Sequence, residues 1–114
     1  MFDFQNLEVY KKAKVQHKSI LVILENKITN KTIKDQLGRA SMSILLNIAE
    51  GTGRFSKADK RNFYVIARGS VFECVALLEI LQESNIIKTE EHSNLFNKYE
   101  ELSKMLYGLI KSLS

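Results

Sequence analysis

The middle of the sequence contains all four arginines of the chain. Arg54, Arg61 and Arg68 are spaced by seven residues, so in a helix each lies only about 20° around the axis from the last. Lys57 and Lys60 lie among them. Such a row can contact successive phosphates, and we predict a nucleic-acid-binding patch formed by Arg54, Lys57, Lys60 and Arg61. Ordinary solvated surface charge explains the same residues equally well.

Asn47 and Glu50 place an amide and a carboxylate at the end of an apolar run. A half-buried carboxylate without a partner is costly, and arginine is the expected partner. Arg68 lies between apolar neighbours, so we expect it to pair with Glu50 or Glu73, within the chain or across a subunit contact. Glu50→Ala would then leave a buried arginine unpaired and cost roughly 3 kcal/mol, and Asn47→Ala would cost less.

The residues that could catalyse a reaction or bind a metal are scattered. His17 and His92 lie in different predicted helices, and Cys74 has no neighbouring base. Neither the spacing of metal ligands nor that of an activated nucleophile is present. We therefore expect no enzymatic activity, no metal and no cofactor.

The two halves of the sequence differ in charge. The formal net charge is +4, but residues 1–68 carry 13 Lys and Arg against 6 Asp and Glu, whereas residues 69–114 carry 4 against 7. This asymmetry favours an anionic partner for the first half, nucleic acid above all. Scattered lysines on solvated helix faces produce the same counts.

A chain of 114 residues is long enough for one hydrophobic core without disulfides or metals. We expect residues 1–114 to form one domain, in which the single Cys74 packs as a small hydrophobic side chain. The N-terminal residues lack the pattern of a signal peptide, and no window approaches the about 18 apolar residues of a membrane span. We expect a soluble protein, in a reduced cytoplasmic setting.

Apolar residues recur at helical spacing in four segments, and proline is absent. We predict four helices with N-caps at Asp3, Thr32, Ser56 and Thr89. Gly51 and Gly53 are expected to end the second helix with a left-handed residue, and Gly69 to mark a close helix approach in the third. Short connections give an all-α, up-and-down four-helix bundle.

The second predicted helix is apolar on more than one side. Its main stripe is widened by Met42, Leu45 and Leu46. A helix of a simple bundle needs only one buried stripe. The additional side predicts either a central position or a subunit interface, and hence a homo-oligomer larger than a dimer.

Three helices carry characteristic motifs: Phe4-x-x-Leu7-x-Val9-Tyr10, Asn47-Ile48-Ala49-Glu50-Gly51-x-Gly53-Arg54 and Phe63-x-x-Ile66-Ala67-Arg68-Gly69-Ser70. With these motifs the chain resembles the four-helix bundle protein family encoded within intervening sequences of bacterial large-subunit ribosomal RNA genes, to which a branch serving diversity-generating retroelements is related. The resemblance implies a ring-like pentamer and, in the retroelement branch, binding of nucleic acid and a reverse transcriptase. It also places Arg39 on the contact surface, although Gly38 stands where the family often has a second arginine.

Two functional hypotheses follow. In the first, an oligomeric, non-catalytic bundle binds RNA or DNA as an accessory factor. In the second, the oligomer is a structural or protein-partner scaffold, and its polar motif, Asn47, Glu50, Arg68 and Glu73, holds the subunits together. Salt dependence separates the two, because phosphate binding weakens steeply with ionic strength.

Overall fold

Four α-helices account for most of the chain. The computed structural model describes residues 2–114 and, within that range, contains no β-strand. A short 3-10 helix spans Asp3–Asn6 and precedes α1 Glu8–Asn26, α2 Lys31–Thr52, α3 Lys57–Glu83 and α4 Thr89–Ser112. Each α-helix packs on the next, and α1 also packs on α4. Because the connections are too short for a crossover, neighbouring helices run antiparallel. The predicted all-α four-helix fold is confirmed.

The core is formed by the side of each helix that the apolar spacing identifies. The predicted seam of α4 is buried at Leu95, Tyr99, Leu102 and Leu106. The main stripe of α2 is buried at Leu37, Ala40, Ile44 and Ile48. These stripes meet in one continuous apolar cluster inside a molecule of 43 × 22 × 22 Å.

The N-cap of α3 is the predicted one, and that of α2 is not. The Ser56 hydroxyl accepts a hydrogen bond from the backbone N–H of Asp59 at 3.1 Å. Helix α2 is capped by Asn30, whose Oδ1 accepts from the backbone N–H of Ile33 at 3.0 Å. The prediction of Thr32 is therefore wrong by two residues, because an asparagine oxygen caps as well as a hydroxyl and lies earlier in the chain.

The other two predicted N-caps are also wrong. Thr89 is the first residue of α4, and the cap position is Lys88, which makes no side-chain capping bond. Asp3 begins the short 3-10 helix. Helix α1 starts only at Glu8, because Leu7 has an extended backbone that separates the two helices.

The left-handed helix end lies after α3 and not after α2. Gly53 is the C-cap of α2, but its φ of −82° is right-handed, so the prediction of a left-handed glycine is wrong. The left-handed residue is Asn85, with φ of 60°. Its N–H bonds to the carbonyl oxygen of Gln82 at 3.0 Å, and the N–H of Ile86 bonds to that of Leu81 at 2.9 Å. These two bonds form a Schellman motif.

Helices α2 and α3 approach closely at Gly51, which lies inside α2. A Cβ atom at this position would lie 2.9 Å from the Phe63 Cβ and 3.1 Å from the Tyr64 Cε1. A Cβ at Gly69 would have no atom within 4 Å outside its own helix. The predicted close approach at Gly69 is therefore wrong, and Gly51 provides one instead.

The second apolar side of α2 divides between the core and the surface. Leu45 is buried, whereas Met42 and Leu46 are 45% and 59% exposed. Met42 and Leu46 are four residues apart and thus share one outward face of α2. The core of a single chain leaves this face uncovered.

Two reactive side chains belong to the core. Cys74 is buried as predicted, and burial raises the pKa of its thiol to about 12. Burial also lowers the pKa of His17, whose Nδ1 lies 2.7 Å from the Ser41 Oγ. This hydrogen bond joins α1 to α2, so His17 serves the contact between these helices.

Gly51→Ala is expected to destabilise the bundle, because its methyl group would force α2 and α3 apart. Overpacking costs about 1–3 kcal/mol, which exceeds the gain of about 1 kcal/mol from replacing glycine in a helix. Gly69→Ala is the matched control. It should raise the free energy of unfolding, since it gains the same propensity without a clash. Urea unfolding measures both variants, and a Gly51→Ala variant as stable as Gly69→Ala would contradict the close approach.

Candidate nucleic-acid interface

Arg54, in the turn between α2 and α3, is paired with a carboxylate. Its Nη2 lies 2.5 Å from the Glu50 Oε2, and its guanidinium lies 4.7 Å from the centroid of the Phe63 ring. The two charged side chains are 44% and 51% exposed. Glu50 therefore has an arginine partner as expected, but the pair lies on the surface, so the expectation that this arginine is buried is wrong.

Lys60 holds the end of α2. Its Nζ donates a hydrogen bond to the carbonyl oxygen of Thr52 at 2.8 Å. The last carbonyl groups of a helix have no partner within it. The Thr52 hydroxyl donates to the carbonyl oxygen of Ile48 at 2.8 Å and lies 2.8 Å from the Tyr64 hydroxyl. Lys60 therefore stabilises the packing of this helix end against α3.

Arg39 links α2 to α3 on the surface. Its Nη2 is paired with the Glu73 Oε2 and also donates to the Gln36 Oε1 at 2.9 Å. The positive charge of Arg39 is thus already balanced by a carboxylate of the same chain.

Lys57 and Arg61 differ from the other predicted phosphate contacts. Both are exposed, and within residues 2–114 neither has an ion-pair partner. They lie four residues apart in the first two turns of α3 and thus point from one face of the helix. Of the five predicted contacts, these two are available to an external anion.

Arg68 contacts aromatic rings and a backbone carbonyl. Its Nε donates to the carbonyl oxygen of Ser103 in α4 at 3.2 Å. Its guanidinium carbon lies 4.9 Å from the centroid of the Phe72 ring and 5.5 Å from that of Tyr107. Both distances are typical of cation–π contacts, so Arg68 joins α3 to α4.

Within the chain, the predicted ion pair between Arg68 and Glu50 or Glu73 is wrong. Glu50 binds Arg54, and Glu73 binds Arg39. The reason is geometric, because two side chains five residues apart in a helix point in directions about 140° apart around its axis. Glu73 therefore faces α2 when Arg68 faces α4.

The aromatic partners of Arg68 were not predicted. Phe72 follows Arg68 by four residues, so its contact could have been found from helical spacing alone. Tyr107 is remote in the sequence, and no local pattern indicates its position.

Asn47 belongs to a hydrogen-bonded group of side chains at the contact between α2 and α3. Its Nδ2 donates to the Ser43 carbonyl oxygen at 2.8 Å and lies 3.0 Å from the Ser43 Oγ. The Ser70 hydroxyl donates to that same Oγ at 2.9 Å. This network of part-buried groups spans the contact between the two helices.

A family model described as 23S rRNA-intervening sequence protein matches residues 5–108. The chain belongs to this family. The match includes parts of all four helices and confirms the resemblance that the motifs indicated. Its relation to diversity-generating retroelements stays a prediction.

A solved structure shares the fold of this family member. It is the crystal structure of a protein with unknown function from the S23 ribosomal protein family, from Bacteroides thetaiotaomicron. The two chains are 26% identical, with a TM-score of 0.84, and the similarity covers 90% of this chain and 98% of the other. None of the curated protein sequences matches the chain.

Neither a metal site nor a membrane span is found in the part of the chain that the structure describes. Among residues 2–114, no group of three His, Cys, Asp or Glu side chains could hold a metal ion. No helix in the same range is long and apolar enough to cross a membrane.

Glu50→Ala is expected to lower the free energy of unfolding by less than about 1 kcal/mol, because exposed ion pairs contribute little. Asn47→Ala should cost more, about 1–1.5 kcal/mol, because it removes the two hydrogen bonds that the Asn47 amide donates to part-buried Ser43. Urea unfolding with light scattering checks this order. A loss of roughly 3 kcal/mol for Glu50→Ala, or a change in its mass, would instead indicate a subunit contact.

Proposed function

We propose that this family member is a non-catalytic, homo-oligomeric bundle that binds nucleic acid, RNA or DNA, through the start of α3. The observation that carries the proposal is the pair Lys57 and Arg61, which are exposed and have no carboxylate partner in the described chain. Arg39 and Arg54 have such partners and contribute less.

The binding is electrostatic and has little sequence preference. Phosphate contacts by lysine and arginine release counterions and do not read base sequence. Two free cations and the partly neutralised Arg54 give one subunit an affinity no better than roughly 10⁻⁴ to 10⁻⁶ M at physiological salt. In an oligomer, several copies of the patch raise the effective concentration for each further contact with the same strand. The overall affinity then exceeds that of one subunit by a factor of about 10² or more.

The outward apolar face of α2 is the surface proposed for self-association. Leu46 and Met42 lie on it, and the contacts Ser43–Ser70 and Gly51–Phe63 bring this part of α2 level with the exposed Ile66 of α3. Covering such half-exposed side chains contributes about 1 kcal/mol each, at about 25 cal/mol per Å². A pentamer is the assembly that the family resemblance implies.

The same apolar face supports a second candidate function, a structural or protein-partner scaffold without nucleic-acid binding. An exposed apolar face indicates a protein contact whether or not the partner is another copy. If the retroelement relation holds, a reverse transcriptase is the expected protein partner. The proposed location is the cytoplasm.

Lys57→Glu/Arg61→Glu is expected to abolish nucleic-acid retention while helix content and oligomer mass stay those of the parent protein. Filter binding to mixed RNA and DNA over a salt series, starting near about 50 mM, measures the loss and the salt slope. Each single change should make the slope shallower by about 1.

The matched control is Lys14→Glu/Lys18→Glu on α1. These lysines are also exposed, four residues apart and without an ion-pair partner in residues 2–114, so the charge change is identical. The control should bind like the parent. Equal loss in both double variants would contradict a site on α3, and a parent protein that is not retained at low salt would favour the scaffold.

Leu46→Glu is expected to dissociate the oligomer, because it places a charge in the proposed apolar contact. Val15→Glu is the control, since Val15 is 57% exposed on α1, close to the 59% of Leu46. Light scattering should give the parent and the control a mass above twice the 13.1 kDa of one chain. A parent mass of 13.1 kDa would rule out the oligomer, and a Leu46→Glu mass equal to the parent's would place the contact elsewhere.

A further inference from the structure

A groove with an apolar and aromatic lining runs between α3 and α4. Its volume is about 400 Å³, and it is lined by Val65, Arg68, Gly69, Phe72, Tyr107 and Ile110. Gly69 leaves its floor open, since no atom would meet a Cβ there. The groove lies where the Arg68 side chain crosses from α3 to α4.

The aromatic rings of this groove remain accessible. Phe72 is 57% and Tyr107 is 53% exposed, although each contacts the guanidinium of Arg68. Of the Arg68 nitrogens, only Nε has an acceptor within the described residues, the Ser103 carbonyl oxygen. The groove therefore offers exposed aromatic surface and N–H donors for an anion at one point.

The groove continues from the proposed phosphate contacts. Lys57, Arg61, Arg68 and Phe72 follow one another at spacings of four, seven and four residues in α3, which keeps them on one face of the helix. A strand whose phosphates contact Lys57 and Arg61 would thus extend towards the aromatic groove.

We infer that this groove binds an unpaired base of single-stranded RNA or DNA, stacked on Phe72 and Tyr107 with its phosphate near Arg68 and Arg61. The inference rests on the proposed nucleic-acid binding and gives it a substrate class. Stacking on exposed aromatic rings beside cations is the means by which proteins bind single strands without sequence preference. A base in a duplex is already stacked and offers no free face to such rings.

Charge complementarity selects this occupant for the groove. A nucleotide brings a flat apolar face and a negative charge together, which matches the rings and the free guanidinium nitrogens of Arg68. A second copy of the chain is the alternative occupant, and the experiment below separates the two.

Fluorescence anisotropy with two labelled probes of equal length tests the inference. One probe is an oligouridylate, and the other is an abasic oligomer with the same phosphates and no bases. The parent protein should bind the oligouridylate about tenfold more tightly. Phe72→Leu and Tyr107→Leu should each lower the affinity for oligouridylate about tenfold and leave that for the abasic probe unchanged.

Phe96→Leu is the matched control, because Phe96 is an exposed ring on α4 that stacks on His92 outside this groove. It should bind both probes like the parent. Equal parent affinity for the two probes would overturn the stacking inference while nucleic-acid binding stands. Binding of neither probe at low salt would overturn both proposals. A change of oligomer mass in Phe72→Leu would show the groove to be an interface between copies and overturn the inference.

Discussion

The close contact of α2 and α3 at Gly51 determines how the rest of the molecule is arranged. Because Gly51 has no side chain, the two helices pack closely at this point. A Cβ atom at Gly51 would overlap Phe63, so the contact also sets the position of the two helices relative to each other. The Ser43–Ser70 hydrogen bond lies about two turns away along the same contact. Successive residues of a helix are rotated by about 100° around its axis. The position of α3 against α2 therefore also sets which of its side chains point towards α2, towards α4 or into solvent.

The cations of the middle segment differ in their partners. Arg39 of α2 points towards α3 and pairs with Glu73. Arg68 of α3 points towards α4 and contacts two aromatic rings. Lys57 and Arg61 lie on nearly the same face of α3 as Arg68 but closer to its N-terminus, and neither pairs with a carboxylate in the described chain. The proposed nucleic-acid surface therefore consists of the two cations of the middle segment that neither join helices to one another nor pair with a carboxylate. The apolar outer face of α2 also remains uncovered within one chain, and it is the surface proposed for self-association.

Sequence patterns predict the features that depend on residues close in the chain. They do not predict features that depend on how remote helices are positioned against each other. The four helices and the seam of α4 follow from apolar spacing, and the cap at Ser56 follows from a local motif. The Glu50–Arg54 pair is also local, at a spacing of four residues, and could have been recognised. By contrast, the roles of Gly69 and Tyr107 depend on which face of a helix meets a remote one. No local pattern contains that information, so the close approach was predicted at the wrong glycine and the aromatic groove was not predicted.

The central claim is that one face of α3, with the adjoining part of α4, forms the nucleic-acid surface. TROSY amide spectra of the parent protein, recorded during titration with an oligouridylate, test it most directly. The predicted result is that resonances of residues 57–72 and 103–110 shift together and saturate, while those of residues 14–18 in α1 stay in place. Shifts centred on α1 or on the outer face of α2, or no shifts at low salt, would contradict it.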